Sequence, residues 1–462
     1  MAHDKKRKKT DRARLVSVKV LYQVTEENVF SNESAAYHLS TSGLDARDRS
    51  FASAIIYGTL SRLPLIDYYL SRASKRSPDK LDPWVRTILR AGIWQLYFSY
   101  QVTTAAACDE SVHLARQLAG EKTTGFVNGV MRQLARERPT LPEKGAQALE
   151  VGLPQDLFNL MTEWYGHDIA KLIGEAALTS PDAVPIRPNL CLESSFECWS
   201  QGDEAARFQL IKLPWPSKAF GVSPGGQSVT AMDAYRDGFF TIQSQSAMLA
   251  GHLAGAKKGD RVLDLCAAPG GKASHIAELT GRDCELLACD VSSERLTLLD
   301  QTLKRLGHSF IETRLHDATV FESQFEKAFD LVLCDVPCSG LGLLQKRPEI
   351  RSRMTRAAIN RIIVTQNAIL ENGARAVAPG GTLLYTTCTI NPEENETRVN
   401  LFLDSDIGRD FVLDDLRDDL AVALKDDIPL PLSTRLPQTV QVMSYRDGSD
   451  GFYIARLRRR GL

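Results

Sequence analysis

Five short apolar runs separated by helix-length segments constrain this chain more than any other feature: Arg261 to Leu265, Glu285 to Cys289, Phe310 to Leu315, Asp330 to Cys334 and Thr382 to Thr387. Strands joined through helices pair in parallel, so the pattern predicts a doubly wound, mostly parallel α/β sheet from about residue 239 onward. Ligands of such sheets bind at the carboxyl ends of the strands. The first run passes into Cys266-Ala267-Ala268-Pro269-Gly270-Gly271-Lys272. There, small residues and two glycines let the backbone approach a ligand beside a helix N-terminus. The second run ends at Asp290, about twenty residues past the loop, where an acidic side chain takes the hydroxyls of a ribose. Asp317, after the third run, is placed to receive an adenine amino group, against the plain alternative of an ordinary surface aspartate.

The fourth and fifth runs lead into cysteines: Cys338 in Asp335-Val336-Pro337-Cys338-Ser339-Gly340, and Cys388 in Tyr385-Thr386-Thr387-Cys388-Thr389. Carbon 5 of a pyrimidine is a poor nucleophile, and a thiolate that adds to carbon 6 makes it reactive enough to take a methyl group. One cysteine suffices for that addition, and a second can assist the elimination that frees the product. Asp335 can hydrogen-bond a cytosine edge and stabilise charge at ring nitrogen 3. Pro337 fixes the turn so that Cys338 points into the cleft. A reactive thiol needs access and a lowered pKa, which Lys272 or Arg347 nearby would supply. Either cysteine alone reads more simply as packing; the pair at strand ends behind a cofactor loop reads as a reactive site.

At 462 residues the chain exceeds what one core usually supports, so two or three domains are expected. Residues 11 to 138 are helical in pattern. In Leu81 to Tyr100, apolar residues recur every three or four positions, and Asp82 and Pro83 supply an N-cap and a first-turn proline. Pro139, Pro142 and Gly145 mark a linker. The expected division is an all-helical domain over 1–140, a small α+β linker region over 150–238, and a catalytic domain over 239–462. Nine cysteines without paired CxxC modules fit reduced thiols and argue against a metal site. Cys108, Cys191, Cys198, Cys284, Cys289 and Cys334 are expected as apolar fillers, and Cys266 as strand-end packing. The net charge of −1 gives no global signal for nucleic acid. Two basic runs, Lys5 to Lys9 and Arg456, Arg458, Arg459 and Arg460, would neutralise phosphates if they line an RNA groove. No stretch is long and apolar enough to span a membrane, so a cytoplasmic location is expected; a monomer is expected as well.

The segments Leu263 to Lys272, Asp335 to Gly340, Arg347-Pro348-Glu349-Ile350 and Thr387 to Asn395 resemble, in order, the motifs of the Sun-type RNA (cytosine-5)-methyltransferases. Phe240 to Ala247 and Asp450-Gly451-Phe452-Tyr453 resemble the flanks of the same catalytic domain, so the likeness spans about 240 to 460. Gly125 to Arg132 and Arg90 to Leu96 resemble helices of the NusB fold. A NusB-like domain ahead of this methyltransferase is the architecture of bacterial members that act on 16S ribosomal RNA. The resemblance implies a Rossmann-like class I methyltransferase domain that binds S-adenosylmethionine through residues 266–272, with Asp290 on the ribose and Asp317 near the adenine. It further implies Cys388 as the nucleophile, Cys338 as the residue that assists release, and Asp335 as the holder of the cytosine. Lys272, Lys346, Arg347 and Arg351 would hold phosphates of the RNA. The chain departs from the pattern at His316, where a glycine usually precedes the aspartate, and at Val336, which replaces an alanine. The same chemistry on another RNA, such as transfer RNA, is the first alternative. A methyltransferase for small molecules or proteins has no use for two strand-end cysteines, and a noncatalytic RNA-binding assembly protein has none for Asp335 beside them.

Overall fold

The computed structural model describes residues 11–179, 183–223, 225, 227–424 and 428–461, so the Lys5 to Lys9 run lies outside the described residues. Contacts divide the chain into two units: a helical one reaching to Ser180 that also takes in Leu344–Arg353, and an α/β one formed by Pro181–Leu343 and Met354–Leu462.

The helical unit is built from amphipathic helices with capped ends. Asp11 accepts the Arg14 N–H at 2.9 Å ahead of Arg12–Glu26. Asp82 accepts the N–H groups of Trp84 and Val85 at 3.0 and 3.1 Å ahead of Pro83–Phe98. Each such cap satisfies donors that a helix start leaves open. Gly92 lets the Pro83–Phe98 helix press against Thr104–Leu118, since a Cβ there would fall 2.5 Å from Ser111 Oγ. Leu21, Ile55, Ile56, Ile66, Leu70, Ile88, Ile93 and Met131 fill the core.

The unit does not stop near residue 140, where the sequence suggests a linker. Helices Ala146–Glu150, Gln155–Tyr165 and His167–Ala176 continue it, burying Leu153, Leu157, Met161 and Ile173. Segment Leu344–Arg353 is held in the same unit by two buried charges. The Glu349 carboxylate accepts Ser31 N–H at 3.1 Å and Ser31 Oγ–H at 2.8 Å, capping Ser31–Thr41 from outside that helix. The Arg351 guanidinium donates to the carbonyls of Ser61, Gly152, Ala177 and Leu344.

The α/β unit holds two sheets. The small antiparallel one has the order β2-β3-β1-β4, from β1 (Val184–Pro188), β2 (Ile211–Lys212), β3 (Phe220–Val222) and β4 (Phe240–Ile242). The large one comprises β5 (Asp260–Asp264), β6 (Cys284–Asp290), β7 (Glu312–Leu315), β8 (Phe329–Asp335), β9 (Val377–Thr387), β10 (Phe411–Leu413), β11 (Val440–Val442) and β12 (Phe452–Arg459). Its order is β10-β12-β9-β8-β5-β6-β7, with β11 also on β12. The stretch β9-β8-β5-β6-β7 is parallel, and β12 lies antiparallel to β9. This is the expected doubly wound sheet with an antiparallel edge. Register aligns Asp335 with Thr386, so β8 and β9 end together, and Asp264 with Leu333, so β5 ends just short of them.

Candidate functional site

Backbone hydrogen bonds fix the glycine loop. Ala267 N–H donates to Cys289 O at 2.8 Å, and Gly270 N–H to Ala267 O at 2.8 Å. Gly270 has φ +103° and caps the helix Gly271–Leu279. Asp290, buried at the end of β6, accepts Ala268 N–H at 3.3 Å and Ser292 N–H at 3.1 Å and forms an ion pair with Arg295 Nη2 at 3.2 Å. A carboxylate has about four acceptor positions, so these partners leave room for a ribose hydroxyl. His316 N–H donates to Asp290 O at 3.0 Å, which brings the Asp317 turn beside Asp290. Asp317 is exposed, and hydrogen bonds from the Thr319 hydroxyl and N–H hold its carboxyl below the usual range.

Asp264, at the end of β5, is buried, and its Oδ2 has no hydrogen-bond partner. Burial, reinforced by the Asp335 charge, pushes its carboxyl up to about 7. A loop open through glycine, an acidic strand end with acceptor capacity and an unsatisfied buried carboxyl oxygen together fit a polar, positively charged ligand. Cys266 is half-buried, and burial pushes its thiol well up, in keeping with packing.

The two cysteines meet. Cys338 Sγ and Cys388 Sγ stand 3.1 Å apart, both free thiols and both half-buried. The hydrogen bond to Cys388, together with burial, pushes the Cys338 thiol well up. Asp335, one turn before Cys338, takes Lys272 Nζ at 2.6 Å on one oxygen and Thr386 Oγ–H at 2.7 Å on the other. Burial works against the Lys272 charge, and the Asp335 carboxylate more than offsets it, holding the ammonium above the ordinary lysine range. Cys388 also favours that charge, so Lys272 joins the cofactor loop, Asp335 and the thiol pair electrostatically.

Several sequence expectations need correction. Arg351 is buried and spends its donors on four carbonyls, which removes it from phosphate binding. Arg347 lies in the helical unit with its guanidinium 5.6 Å from the Phe30 ring, and the cation held by Asp335 is Lys272. Three arginines of the basic run near residue 458 are part of β12: Arg456 and Arg458 pair with Asp414 at 2.8 Å each, and Arg459 pairs with Asp410 at 3.0 Å. Cys198 is exposed on the helix Glu193–Ser200, because it falls on the polar side of a short surface helix, so it is no filler. Val336 is buried and donates its N–H to Thr386 O at 3.2 Å, so the larger side chain is accommodated. Sequence reasoning missed Asp264, Thr386, Gln366 and Glu394. Thr386 was recoverable, since it stands two residues before Cys388.

Among the described residues, no helix is long and apolar enough to cross a membrane, and no group of three or more His, Cys, Asp or Glu side chains could hold a metal ion.

Residues 252–458 match the family described as 16S rRNA methyltransferase RsmB/F, and residues 11–136 match the NusB family. The chain is 28% identical to the Bacillus subtilis protein named "Probable ribosomal RNA small subunit methyltransferase B", over 98% of this chain and all of that one. It is also 28% identical to Ribosomal RNA small subunit methyltransferase B of Erwinia tasmaniensis, over 97% and 99% of the two chains. The crystal structure of PH0851 shares the fold at a TM-score of 0.84 and 24% identity, covering 98% of this chain and 99% of that one.

Proposed function

We propose that this protein, which belongs to the RsmB/Sun-type rRNA methyltransferases and carries a NusB-family domain, methylates carbon 5 of a cytosine in 16S ribosomal RNA through a covalent bond between Cys388 and carbon 6. The observation that carries the reading is the 3.1 Å approach of the two strand-end thiols beside the Lys272–Asp335 pair. Neither packing nor ordinary methyl transfer to an amine or hydroxyl calls for that pairing.

S-adenosylmethionine, the cofactor of the family, supplies an electrophilic methyl group. Residues 266–272 and Asp290 would hold it, with Asp317 toward the adenine. Asp335 keeps lone pairs free of Lys272 and Thr386, and these receive the cytosine edge. The Cys388 thiol gives its proton to a base and the sulfur adds to carbon 6 as the thiolate, its electron pair forming the C–S bond while the 5,6 double bond yields its electrons to carbon 5 and the ring. Once carbon 5 has taken the methyl group, its proton leaves to a base, the double bond re-forms and the C–S bond breaks, returning the pair to sulfur. Cys338, held as a thiol, donates its S–H to the Cys388 sulfur and stabilises the negative charge that develops as that sulfur departs. The target base has to leave its stack to reach this site.

The test is product identity. The protein, methyl-labelled cofactor and either 16S ribosomal RNA or transfer RNA are incubated, and the RNA is digested to nucleosides. Label in 5-methylcytidine from 16S RNA alone, abolished in Cys388→Ala, is expected. Label in another nucleoside, or unchanged transfer by Cys388→Ala, refutes the chemistry; label in transfer RNA alone refutes the substrate.

A further inference from the structure

The thiol pair is held by a buried polar clamp that centres on Glu394. This residue is fully buried, and its carboxylate is reached by three donors. Ser339 N–H and Gln366 Nε2 donate to Oε2 at 2.8 and 2.9 Å, and Asn391 Nδ2 donates to Oε1 at 2.8 Å. The same Gln366 Nε2 also donates to Pro337 O at 3.0 Å. Glu394 therefore grips the backbone on both sides of Cys338, directly after it and through Gln366 before it. On the Cys388 side, Asn391 belongs to the loop that follows the cysteine, and Tyr385 O–H donates to Glu394 O at 2.7 Å from the strand that precedes it. Ser339 Oγ and Thr389 Oγ1, each one residue beyond a cysteine, lie 2.7 Å apart.

Gln366 gives an independent sign that the clamp has been kept for its donors. Its Oε1 is buried with no partner, an arrangement that costs free energy and persists only if the amide N–H groups are needed where they are. A buried carboxylate at this spot is likewise costly unless its bonds are used.

We propose that Glu394 is a positioning residue that sets the Cys338 thiol at hydrogen-bonding distance from the Cys388 sulfur for the release step. This rests on the cysteine roles proposed above. The negative charge of Glu394 is one of the influences that raise the Cys338 thiol, after the hydrogen bond to Cys388, burial and the charge of Cys388 itself.

The test uses the full chain with substrate RNA and cofactor. Glu394→Gln keeps the shape but offers one carbonyl oxygen to three donors, so at least one bond is lost. Multiple turnover is expected to fall ~10-fold or more, with cofactor affinity unchanged and an RNA–protein adduct persisting on denaturing gels. A merely structural role would not move a second readout, the pH profile of Cys338 alkylation by iodoacetamide, followed by mass spectrometry. Removing a negative charge eases thiolate formation, so that profile shifts to lower pH. If Glu394→Gln fails to fold, Gln366→Met removes the shared donor with little change in volume and should give the same adduct. Cys338→Ala runs in parallel: an adduct there with ordinary turnover in the clamp variants, or an unmoved alkylation profile in Glu394→Gln, overturns the role of Glu394 alone. No adduct from Cys338→Ala overturns the cysteine roles themselves.

Discussion

Replacing Cys338 by alanine isolates the release step. In the parent, the departing Cys388 sulfur receives an S–H donor 3.1 Å away. A hydrogen bond to a charged acceptor contributes about 1.5–3 kcal/mol, so its loss slows elimination by roughly 10- to 150-fold. The burial pattern limits side effects, because Cys338 is only half-buried and its truncation leaves the Ser339 and Pro337 contacts with Glu394 and Gln366 in place. The variant should therefore fold, bind cofactor and add to its base. It should methylate once and then stall.

The assay is a single-turnover reaction with end-labelled RNA, quenched at intervals and run on a denaturing gel, where the adduct migrates as a slowed band. Adduct should peak and decay quickly in the parent, persist in Cys338→Ala and be absent from Cys388→Ala. A thermal melt of each protein shows whether a missing band reflects unfolding. An adduct from Cys388→Ala and none from Cys338→Ala would reverse the two roles. Full turnover by both would refute cysteine catalysis.

Two further outcomes follow from the cofactor loop. Gly270→Ala puts a Cβ at φ +103° and 2.8 Å from Leu299 Cδ1, which together cost about 2–5 kcal/mol; it should melt several degrees below the parent, whereas Gly271→Ala, whose Cβ meets Gln243 Nε2 at an ordinary 3.5 Å, should not, and equal melting of both would refute the strain. The Asp264 carboxyl, pushed up to about 7 by burial and by the Asp335 charge, binds a proton in the folded state that the unfolded chain releases near pH ~4, so its contribution to stability falls as pH rises from about 4 to about 7. Asp264→Asn removes that loss, so its melting temperature should gain on the parent between pH 5 and pH 8; a constant offset would contradict the assignment.

The sheet and the reactive pair were legible because their signals are local. A strand run, a glycine turn and a helix start sit next to one another in the sequence, and Cys338 and Cys388 each follow a strand by three residues or fewer. What the sequence hid is pairing across distance. Lys272 reads as a phosphate ligand until Asp335, far along the chain, is seen to hold it at 2.6 Å. The arginines near the carboxyl terminus read as an RNA-binding tail until Asp410 and Asp414 take them up in the sheet. Glu394 lies inside a segment whose family likeness was evident, yet nothing in its neighbours says that its carboxylate turns back to the Cys338 turn. A charge advertises itself in sequence, but its partner does not.

The same limit governs where this chain can be divided. Pro139 and Pro142 look like a boundary, and a truncation there looks like a clean way to ask what the first helices contribute to RNA selection. The helical unit, however, includes Leu344–Arg353, ten residues drawn from the middle of the catalytic sequence. Removing residues up to 138 takes away Ser31, which satisfies Glu349, and Ser61, whose carbonyl receives Arg351. A carboxylate and a guanidinium that are nearly fully buried would then lose partners, a change that typically costs several kcal/mol. Loss of RNA affinity in such a truncation would therefore mix a missing RNA surface with a damaged fold. Substitutions on the exposed faces of the helices, leaving Ser31, Ser61, Glu349 and Arg351 untouched, separate the two, because only a true RNA contact would weaken binding while the melting temperature holds.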